Sequence, residues 1–133
     1  MPIFYQKIIM REDLQANPGV LYVFGDNVER KGMAGQAAEM RGEPNAIGVA
    51  TKWKPTNQPD AFFNDDQFDQ IIPILTQDLT PVYNAVIANK IVVWPQDGIG
   101  TGYARLHICA PRILRVINDT RRQLANHIIE SRI

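Results

Sequence analysis

The stretch that decides the fold is Val20-Leu21-Tyr22-Val23-Phe24-Gly25. Five apolar residues follow one another without a polar interruption, and a glycine closes the run. A run this short and unbroken is typical of a strand that is buried on both faces, as in an α/β sheet. The later stretch Ile91-Val92-Val93-Trp94-Pro95 has the same character, and its proline predicts the end of a second buried strand.

Helical segments alternate with strands along the rest of the chain. Residues 3–10 and 46–51 are predicted to form further strands, because both are rich in apolar and β-favouring side chains. The segments predicted to be helical are residues 34–40, residue 64 or 65 to residue 79 with a bend or break at Pro73, residues 81–89, and about residue 106 or 110 to residue 129. Residues 11–19 are predicted to be a polar connection that ends in a turn. The alternation predicts an α/β fold, a three-layer sandwich with a mixed, largely parallel central sheet.

The size and composition of the chain limit the classes of protein to which it can belong. Its 133 residues predict one domain, residues 1–133, and an apolar fraction of 45% with a charged fraction of 21% is typical of globular proteins. The 14 basic residues balance the 14 acidic ones, so the formal net charge is zero. This balance argues against a duplex-DNA-binding protein, which usually carries a strongly basic face, and against attachment to an anionic membrane.

The cysteine and histidine residues give no reason to expect a metal or a cofactor. Cys109 is the single cysteine, which excludes an internal disulfide and fits a reducing compartment. His107, Cys109 and His127 lack the spacing of metal ligands, and His107 and Cys109 would point in different directions on a helix. The chain begins without the pattern of a signal peptide and has no apolar run of membrane length, so a cytoplasmic protein is expected.

Two loops share one design, in which a buried strand runs into a polar loop with glycines that leads to a helix. The first loop spans residues 25–37 and the second spans residues 96–102. Ligands of open α/β sheets bind at the carboxyl ends of strands, glycines let the backbone approach a ligand, and free N–H groups at a helix start hold anions. The pair of loops therefore predicts a cleft for a phosphorylated, diphosphate-bearing molecule. Tight turns in a compact domain are the alternative.

In the order of these elements the chain resembles the macrodomain superfamily, the ADP-ribose-binding α/β fold. The resemblance covers about residues 20–118 and is carried by Gly25-Asp26-Asn27 with residues 32–38, and by Val92-Val93-Trp94-Pro95 with residues 98–103. The block formed by Gly25-Asp26-Asn27 and residues 40–48 is similar to that of divergent, phage-type members. The resemblance implies a macrodomain-like fold and a ligand that is ADP-ribose-like or another NAD-derived nucleotide. It also implies a possible enzyme of this class, an ADP-ribosyl glycohydrolase that removes ADP-ribose from a macromolecule or a small molecule.

The residues of the two loops form the candidate site. Those expected to contact the ligand, mainly through backbone N–H groups, are Gly25, Asn27, Gly32, Met33, Ala34, Gly35, Gln36, Gly98, Ile99, Gly100, Thr101, Gly102 and Tyr103. The candidates for catalysis are Asp26, Asn27 and Asp97, which can orient a water or, if burial raises the pKa of Asp97, supply a general base. The ordinary alternatives are turn or cap roles for the first two, a loop carboxylate held by N–H groups for Asp97, and core packing for Tyr103.

Four charged or aromatic residues beside the loops are further candidates. Arg30 and Lys31 can neutralise phosphate charge, whereas Lys52 and Trp53 can line the mouth of the cleft. Cations that simply face water and a packed tryptophan are the alternatives. Three hypotheses stay open: a module that binds an ADP-ribose-like small molecule, a hydrolase acting on an ADP-ribosylated target, and an interaction protein without a small ligand. The sequence does not indicate an oligomeric state.

Overall fold

Four parallel strands form the centre of the molecule: β1 (Ile3–Gln6), β2 (Leu21–Asn27), β3 (Ala46–Lys52) and β4 (Val92–Pro95). The computed structural model describes the backbone of residues 2–131 and the side chains of residues 2–127, so both ends of the predicted domain, residues 1 and 132–133, lie outside the described residues. The strand order is β1-β4-β2-β3, and every neighbouring pair is parallel. The α/β class is confirmed. Of the mixed sheet that we expected, the described residues show only an isolated antiparallel bridge between Lys52 and Phe62.

Helices cover both faces of this sheet. They are α1 (Arg11–Ala16), α2 (Ala37–Met40), α3 (Phe68–Ile87), α4 (Leu106–Cys109) and α5 (Pro111–Ser131), with short 3-10 turns at Pro59–Ala61 and Asp65–Gln67. Helices α3 and α5 pack against one face, and α1 and α2 against the other. None of the described helices combines the length and the apolar character that spanning a bilayer requires.

The unbroken apolar run of β2 is explained by burial on both of its faces. The side chain of Val23 lies in the core beneath α3 and α5, whereas Tyr22 and Phe24 contribute to the core beneath α1 and α2. The same alternation holds in β4, where Val92 and Val93 belong to opposite cores. Successive side chains of a strand point to opposite faces, so a strand with helices on both sides needs apolar residues at every position.

The first predicted strand was too long, and the polar connection that follows it contains a helix. Strand β1 ends at Gln6, and α1 occupies Arg11–Ala16. The carboxylate of Asp13 accepts a hydrogen bond of 2.9 Å from the backbone N–H of Met10, which fixes the start of the helix. Leu14 is buried against α2 and the sheet. One buried residue in a six-residue helix gives too little periodicity to be recognised in the sequence.

Helix α3 continues through both of its prolines, whereas we predicted two separate segments. Pro73 and Pro81 are exposed, so the carbonyls that lose their helical partners can bond to water. The buried residues on the opposite face of the helix are Ile71, Leu75, Leu79, Val82, Ala85 and Val86. Their spacing of three and four residues forms one uninterrupted apolar stripe, and burial of that stripe outweighs the lost hydrogen bonds.

The connections of β2 and β4 diverge to opposite faces of the sheet. The chain leaves β2 toward α2 on one face, and it leaves β4 toward α5 on the other. Strands β2 and β4 are neighbours, so a crevice opens at the carboxyl ends of these strands, between the two loops that leave them. Open α/β sheets bind their ligands at such a switch point.

Candidate functional site

A cleft of about 420 Å³ lies at this switch point, between the two glycine-containing loops. Six of the nine glycines in the chain line it. Its volume falls in the range of small-molecule sites, roughly 300–1,000 Å³. The predicted ligand-contacting residues that line the cleft are Gly25, Asn27, Gly32, Ala34, Gly35, Gln36, Gly98, Gly100, Gly102 and Tyr103. The structure therefore brings both loops to one site.

Three predicted contact residues do not line the cleft. The side chain of Met33 is 56% exposed, and Ile99 is 1% exposed because its side chain packs in the core beneath α3 and α5. The hydroxyl of Thr101 donates a hydrogen bond of 3.3 Å to the carbonyl of Asp97, on an exposed part of the loop. Ile99 therefore anchors the second loop rather than contacting a ligand with its side chain.

The two loops offer backbone N–H groups that have no acceptor. Within the part of the chain that the structure describes, no acceptor bonds to the amides of residues 32–37 or of residues 99–104. Most of these residues line the cleft. The helices that follow the loops, α2 and α4, have four residues each, so the loop backbone itself supplies these donors. Successive free N–H groups in glycine-containing loops form concave sites for anions.

Gln36 ties the two loops together across the floor of the cleft. The backbone N–H of Gly25 donates to Oε1 of Gln36 over 2.7 Å, and Nε2 of Gln36 donates to the carbonyl of Gly98 over 3.3 Å. The loops approach so closely that a Cβ on Gly25 would lie 3.3 Å from Ile99 Cγ2 and 3.8 Å from the backbone nitrogen of Gly100. The glycine at position 25 and the amide at position 36 thus set the distance between the loops.

Asp26 lies at the end of β2, which continues two residues beyond Gly25, and its side chain is 3% exposed. Both of its carboxylate oxygens face the guanidinium of Arg41, over 2.5 Å and 3.2 Å. Oδ1 also accepts the backbone N–H of Asn27 over 2.8 Å, and Arg30 lies 3.7 Å from Oδ2. A carboxylate so fully engaged with cations and N–H groups is suited to holding the structure of the loop rather than to contacting a substrate.

Asn27 closes the turn that begins the first loop. Its Nδ2 donates to the carbonyl of Lys31 over 2.7 Å, and its Oδ1 accepts from the N–H of Lys31 over 3.4 Å. The residue is buried at the edge of the cleft. Both ends of its amide therefore support the turn, which is the ordinary alternative considered for this residue, although Nδ2 retains a second hydrogen for a ligand.

Asp97 does not line the cleft. Its side chain is exposed, so the burial on which a general-base role depends is absent. Its backbone carbonyl, not its carboxylate, makes the contact with Thr101. The arrangement gives Asp97 no chemical role in the cleft.

The cleft concentrates positive charge in a chain whose net charge is zero. Lys31, Arg41 and Lys52 line it, and Asp26 is the one acidic residue among the described lining residues. Arg41 is committed to Asp26, so the charges of Lys31 and Lys52 remain for a ligand. Arg30, by contrast, pairs with Asp78 over 2.6 Å and does not line the cleft. The lining thus favours an anion.

Lys52 is the more buried of the two available lysines. Its Nζ donates to the carbonyl of Thr56 over 2.7 Å and lies 4.7 Å from the centroid of the Phe62 ring. Burial of the ammonium, and secondly the nearby charge of Arg105, lower the pKa of Lys52 below its ordinary value. Its neighbour Trp53 packs edge-on against Phe63 and bonds to Gln67, outside the cleft.

Tyr103 is the aromatic residue among the described cleft residues. Its ring is 67% exposed and rests on Gly35, where a Cβ would lie 3.2 Å from Cε2 of the ring. Gly35 has a positive φ of 59°, which also favours glycine. The ring therefore bridges the two loops at the mouth of the cleft instead of packing in the core.

Sequence reasoning missed one wall of the cleft and the anchor of the first loop. Thr51, Pro55 and Asn57, at and beyond the end of β3, form that wall. Arg41 donates to the carbonyl of Gly32 over 2.8 Å in addition to pairing with Asp26. No local sequence pattern indicates this role, because an arginine at the end of a helix can equally bond the last carbonyls of that helix.

No group of three or more potential metal ligands occurs among His, Cys, Asp and Glu in the described part of the chain. His107 is exposed and Cys109 is partly exposed, and neither lines the cleft. The groups that the described part of the cleft offers to a ligand are loop N–H groups, the charges of Lys31 and Lys52, and the ring of Tyr103.

Comparison with known proteins adds one finding to this geometry. Residues 4–120 match a protein family described as a family of unknown function (DUF7831). No curated protein and no solved structure matches the chain.

Proposed function

We propose that this chain, which belongs to the DUF7831 family of unknown function, binds an ADP-ribose-like or NAD-derived nucleotide in the cleft between its two loops. The same proposal extends to its architecture, a macrodomain-like form of the α/β fold. The observation that carries it is the pair of free amide runs, residues 32–37 and 99–104, which meet at one cleft. A diphosphate offers the acceptors that such donors need.

The charge and shape of the cleft support the same class of ligand. Lys31 and Lys52 supply positive charge without a carboxylate partner among the described residues, and each phosphate of a diphosphate ester carries one negative charge. Tyr103 provides an exposed aromatic face at the mouth, on which a ribose or a base can stack. The cleft therefore fits a molecule in which a diphosphate joins groups that are sugars or aromatic bases.

Binding is favoured over hydrolysis by the state of the candidate catalytic residues. Asp26 is paired with Arg41, Asn27 holds its own turn, and Asp97 lies outside the cleft. A general base needs an oxygen free to accept a proton within reach of the substrate. None of the three offers this arrangement, so we propose a protein that holds its nucleotide unchanged.

The test is a thermal-shift and calorimetric screen of the full chain against ADP-ribose, NAD, cyclic ADP-ribose and ADP. A ligand at a hundred times its Kd stabilises the fold by about 2.7 kcal/mol, which raises the Tm by several degrees. Mass spectrometry of the ligand after incubation distinguishes binding from turnover. Unchanged ligand supports the binding proposal, and a cleaved ligand would identify a hydrolase.

A matched pair of lysine variants tests whether the nucleotide binds in the cleft. Lys31→Gln removes a cation that lines the cleft, whereas Lys90→Gln removes an exposed cation before the amino end of β4, away from the carboxyl ends of the strands where the cleft lies. We expect the first variant to weaken binding about tenfold and the second to bind as the parent protein does. If no nucleotide shifts the Tm, or if both variants behave alike, the proposed site is wrong.

A further inference from the structure

The ring of Phe62 lies beside two cations, Lys52, which lines the cleft, and Arg105, which follows the lining residue Ala104 in the chain. Nζ of Lys52 lies 4.7 Å from the ring centroid, and the guanidinium carbon of Arg105 lies 5.7 Å from it. The two positive charges are therefore at most about 10 Å apart, which is comparable to the Debye length at physiological salt. Phe62 itself is half-buried and bridges to the backbone of Lys52, so the ring is a fixed platform.

Neither of these cations has a carboxylate partner within the residues whose side chains the structure describes. Lys52 is only 8% exposed, and a buried charge is unfavourable unless it is paired. The nearby charge of Arg105 adds repulsion. Stacking on one aromatic ring offsets only part of this cost. Arg105 is exposed, so water solvates its charge, and Lys52 is the cation of the pair whose burial favours an anion beside it.

The backbone at Arg105 is held in a conformation that non-glycine residues rarely adopt. Its φ is 53°, in the left-handed region, immediately after the free amides of the second loop. Its N–H donates to the carbonyl of Gly102 over 3.2 Å, and its own carbonyl accepts the N–H of Cys109 over 2.8 Å. Strain of this kind persists where the surrounding structure requires it, and it is frequent at ligand sites. Arg105 is thus held beside Phe62 in a backbone conformation that is unfavourable for a non-glycine residue.

The number of available cations exceeds what a diphosphate needs. Lys31, Lys52 and Arg105 have no carboxylate partner among the described side chains, whereas a diphosphate ester carries one charge on each of its phosphates. A phosphomonoester adds a charge of about −1.5 to −2 at neutral pH, which suits two cations better than a carboxylate does. Arginine also bonds phosphate oxygens through two parallel N–H groups.

We propose that Lys52 and Arg105 form a second anion subsite, which binds a phosphomonoester carried by the nucleotide in addition to its diphosphate. This inference rests on the proposed function, since it specifies the ligand of the same cleft. It predicts a preference for nucleotides with an extra phosphate over their unphosphorylated counterparts.

The experiment compares the calorimetric affinity of ADP-ribose with that of ADP-ribose 2′-phosphate, and of NAD with that of NADP. We expect each phosphorylated ligand to bind at least about tenfold more tightly to the parent protein. Arg105→Gln should remove this preference, because it lowers the affinity for the phosphorylated ligands more than the affinity for ADP-ribose. Arg115→Gln, on the exposed side of α5, is the control and should retain it. Equal affinities in the parent protein, or a preference that survives Arg105→Gln, would overturn the proposal.

A separate measurement keeps this test independent of the proposed function. Inorganic phosphate is titrated into the isotope-labelled protein, and the backbone N–H resonances of Phe62 and Arg105 are followed by NMR. Saturable shifts that Arg105→Gln abolishes support the subsite even if no nucleotide binds, in which case only the proposed function fails. Phosphate that leaves both resonances unmoved overturns the subsite, whatever nucleotide occupies the cleft.

Discussion

Asp26 packs directly over Gly48, so closely that a Cβ on Gly48 would lie 2.5 Å from its Oδ2. The two residues are on neighbouring strands, β2 and β3. The missing side chain at position 48 leaves the space in which the carboxylate meets Arg41. The one acidic residue among the described cleft residues is thus positioned by a glycine that lies outside both loops.

Gly48→Ala is expected to destabilise the protein by about 2–4 kcal/mol. The methyl group would displace the carboxylate of Asp26, and a buried acid without its partner is strongly unfavourable. Urea denaturation at neutral pH measures the change. Gly19→Ala is the matched control, because no atom lies within 4 Å of the Cβ it would add and its φ is not positive. Equal stability of the two variants would show that Asp26 can move at no cost.

Gln36→Ala tests the connection between the two loops. The variant leaves the N–H of Gly25 and the carbonyl of Gly98 without their side-chain partner, and we expect a loss of about 1–3 kcal/mol in the free energy of unfolding. Nucleotide affinity should fall as well, since the distance between the loops is no longer fixed. Gln70→Ala, at an exposed position of α3, serves as the control. An unchanged affinity in Gln36→Ala would argue that the loops are spaced by the core alone.

Arg41→Lys tests how the amides of the first loop are oriented. Arg41 bonds the carbonyls of both Lys31 and Gly32, and in a trans peptide the following N–H points the opposite way. The N–H groups of Gly32 and Met33 are therefore turned away from Arg41. Lysine keeps the charge, but its single nitrogen cannot span the acceptors that Arg41 reaches with Nε, Nη1 and Nη2. We therefore expect a loss of about 2 kcal/mol in stability and roughly tenfold in nucleotide affinity.

Two measurements check this expectation. Chemical denaturation gives the stability, and calorimetry with ADP-ribose gives the affinity. Arg115→Lys, in which an exposed arginine of α5 is replaced, should change neither quantity. Retention of full affinity in Arg41→Lys would mean that the turn closed by Asn27 is sufficient to orient the loop.

The strands and the location of the cleft could be predicted from the sequence because both follow from local patterns. An unbroken apolar run such as residues 20–24 indicates a strand buried on both faces, and its position before a glycine-containing loop indicates where a ligand site can form. The extent of α3 could not be predicted, since local rules bend or break a helix at Pro73 and end it before Pro81. The stripe of buried side chains that carries the helix through both prolines depends on tertiary packing.

The contacts that define the site depend on tertiary packing in the same way. Asp26 and Arg41 are separated by fifteen residues, and nothing in either local sequence predicts that they pair. The exposure of Asp97 is likewise set by the direction of the loop around Ile99, whose side chain turns into the core. A residue's type indicates the chemistry that it can perform, but its partners decide whether that chemistry is available.

The lowered pKa of Lys52 predicts opposite effects of pH on binding and on stability. Burial, with a further contribution from Arg105, makes the folded state bind the Lys52 proton less tightly than the unfolded state does. The free energy of unfolding of the ligand-free protein should therefore rise as the pH increases from the lowered pKa toward the ordinary value. Nucleotide affinity should fall over the same window, because the anion loses a cation.

Calorimetry between about pH 7 and 10 in buffers of different ionisation enthalpy checks this prediction, since binding should take up a proton as Lys52 is recharged. Lys52→Met should abolish both the proton uptake and the change of affinity over this range. Lys54→Met is the control: Lys54 is exposed, and its hydrogen bond to Asp60 raises its pKa, so its removal should leave the profile intact. A profile that Lys52→Met does not alter would show that the ligand's charge is met elsewhere in the cleft, by Lys31 and the loop amides.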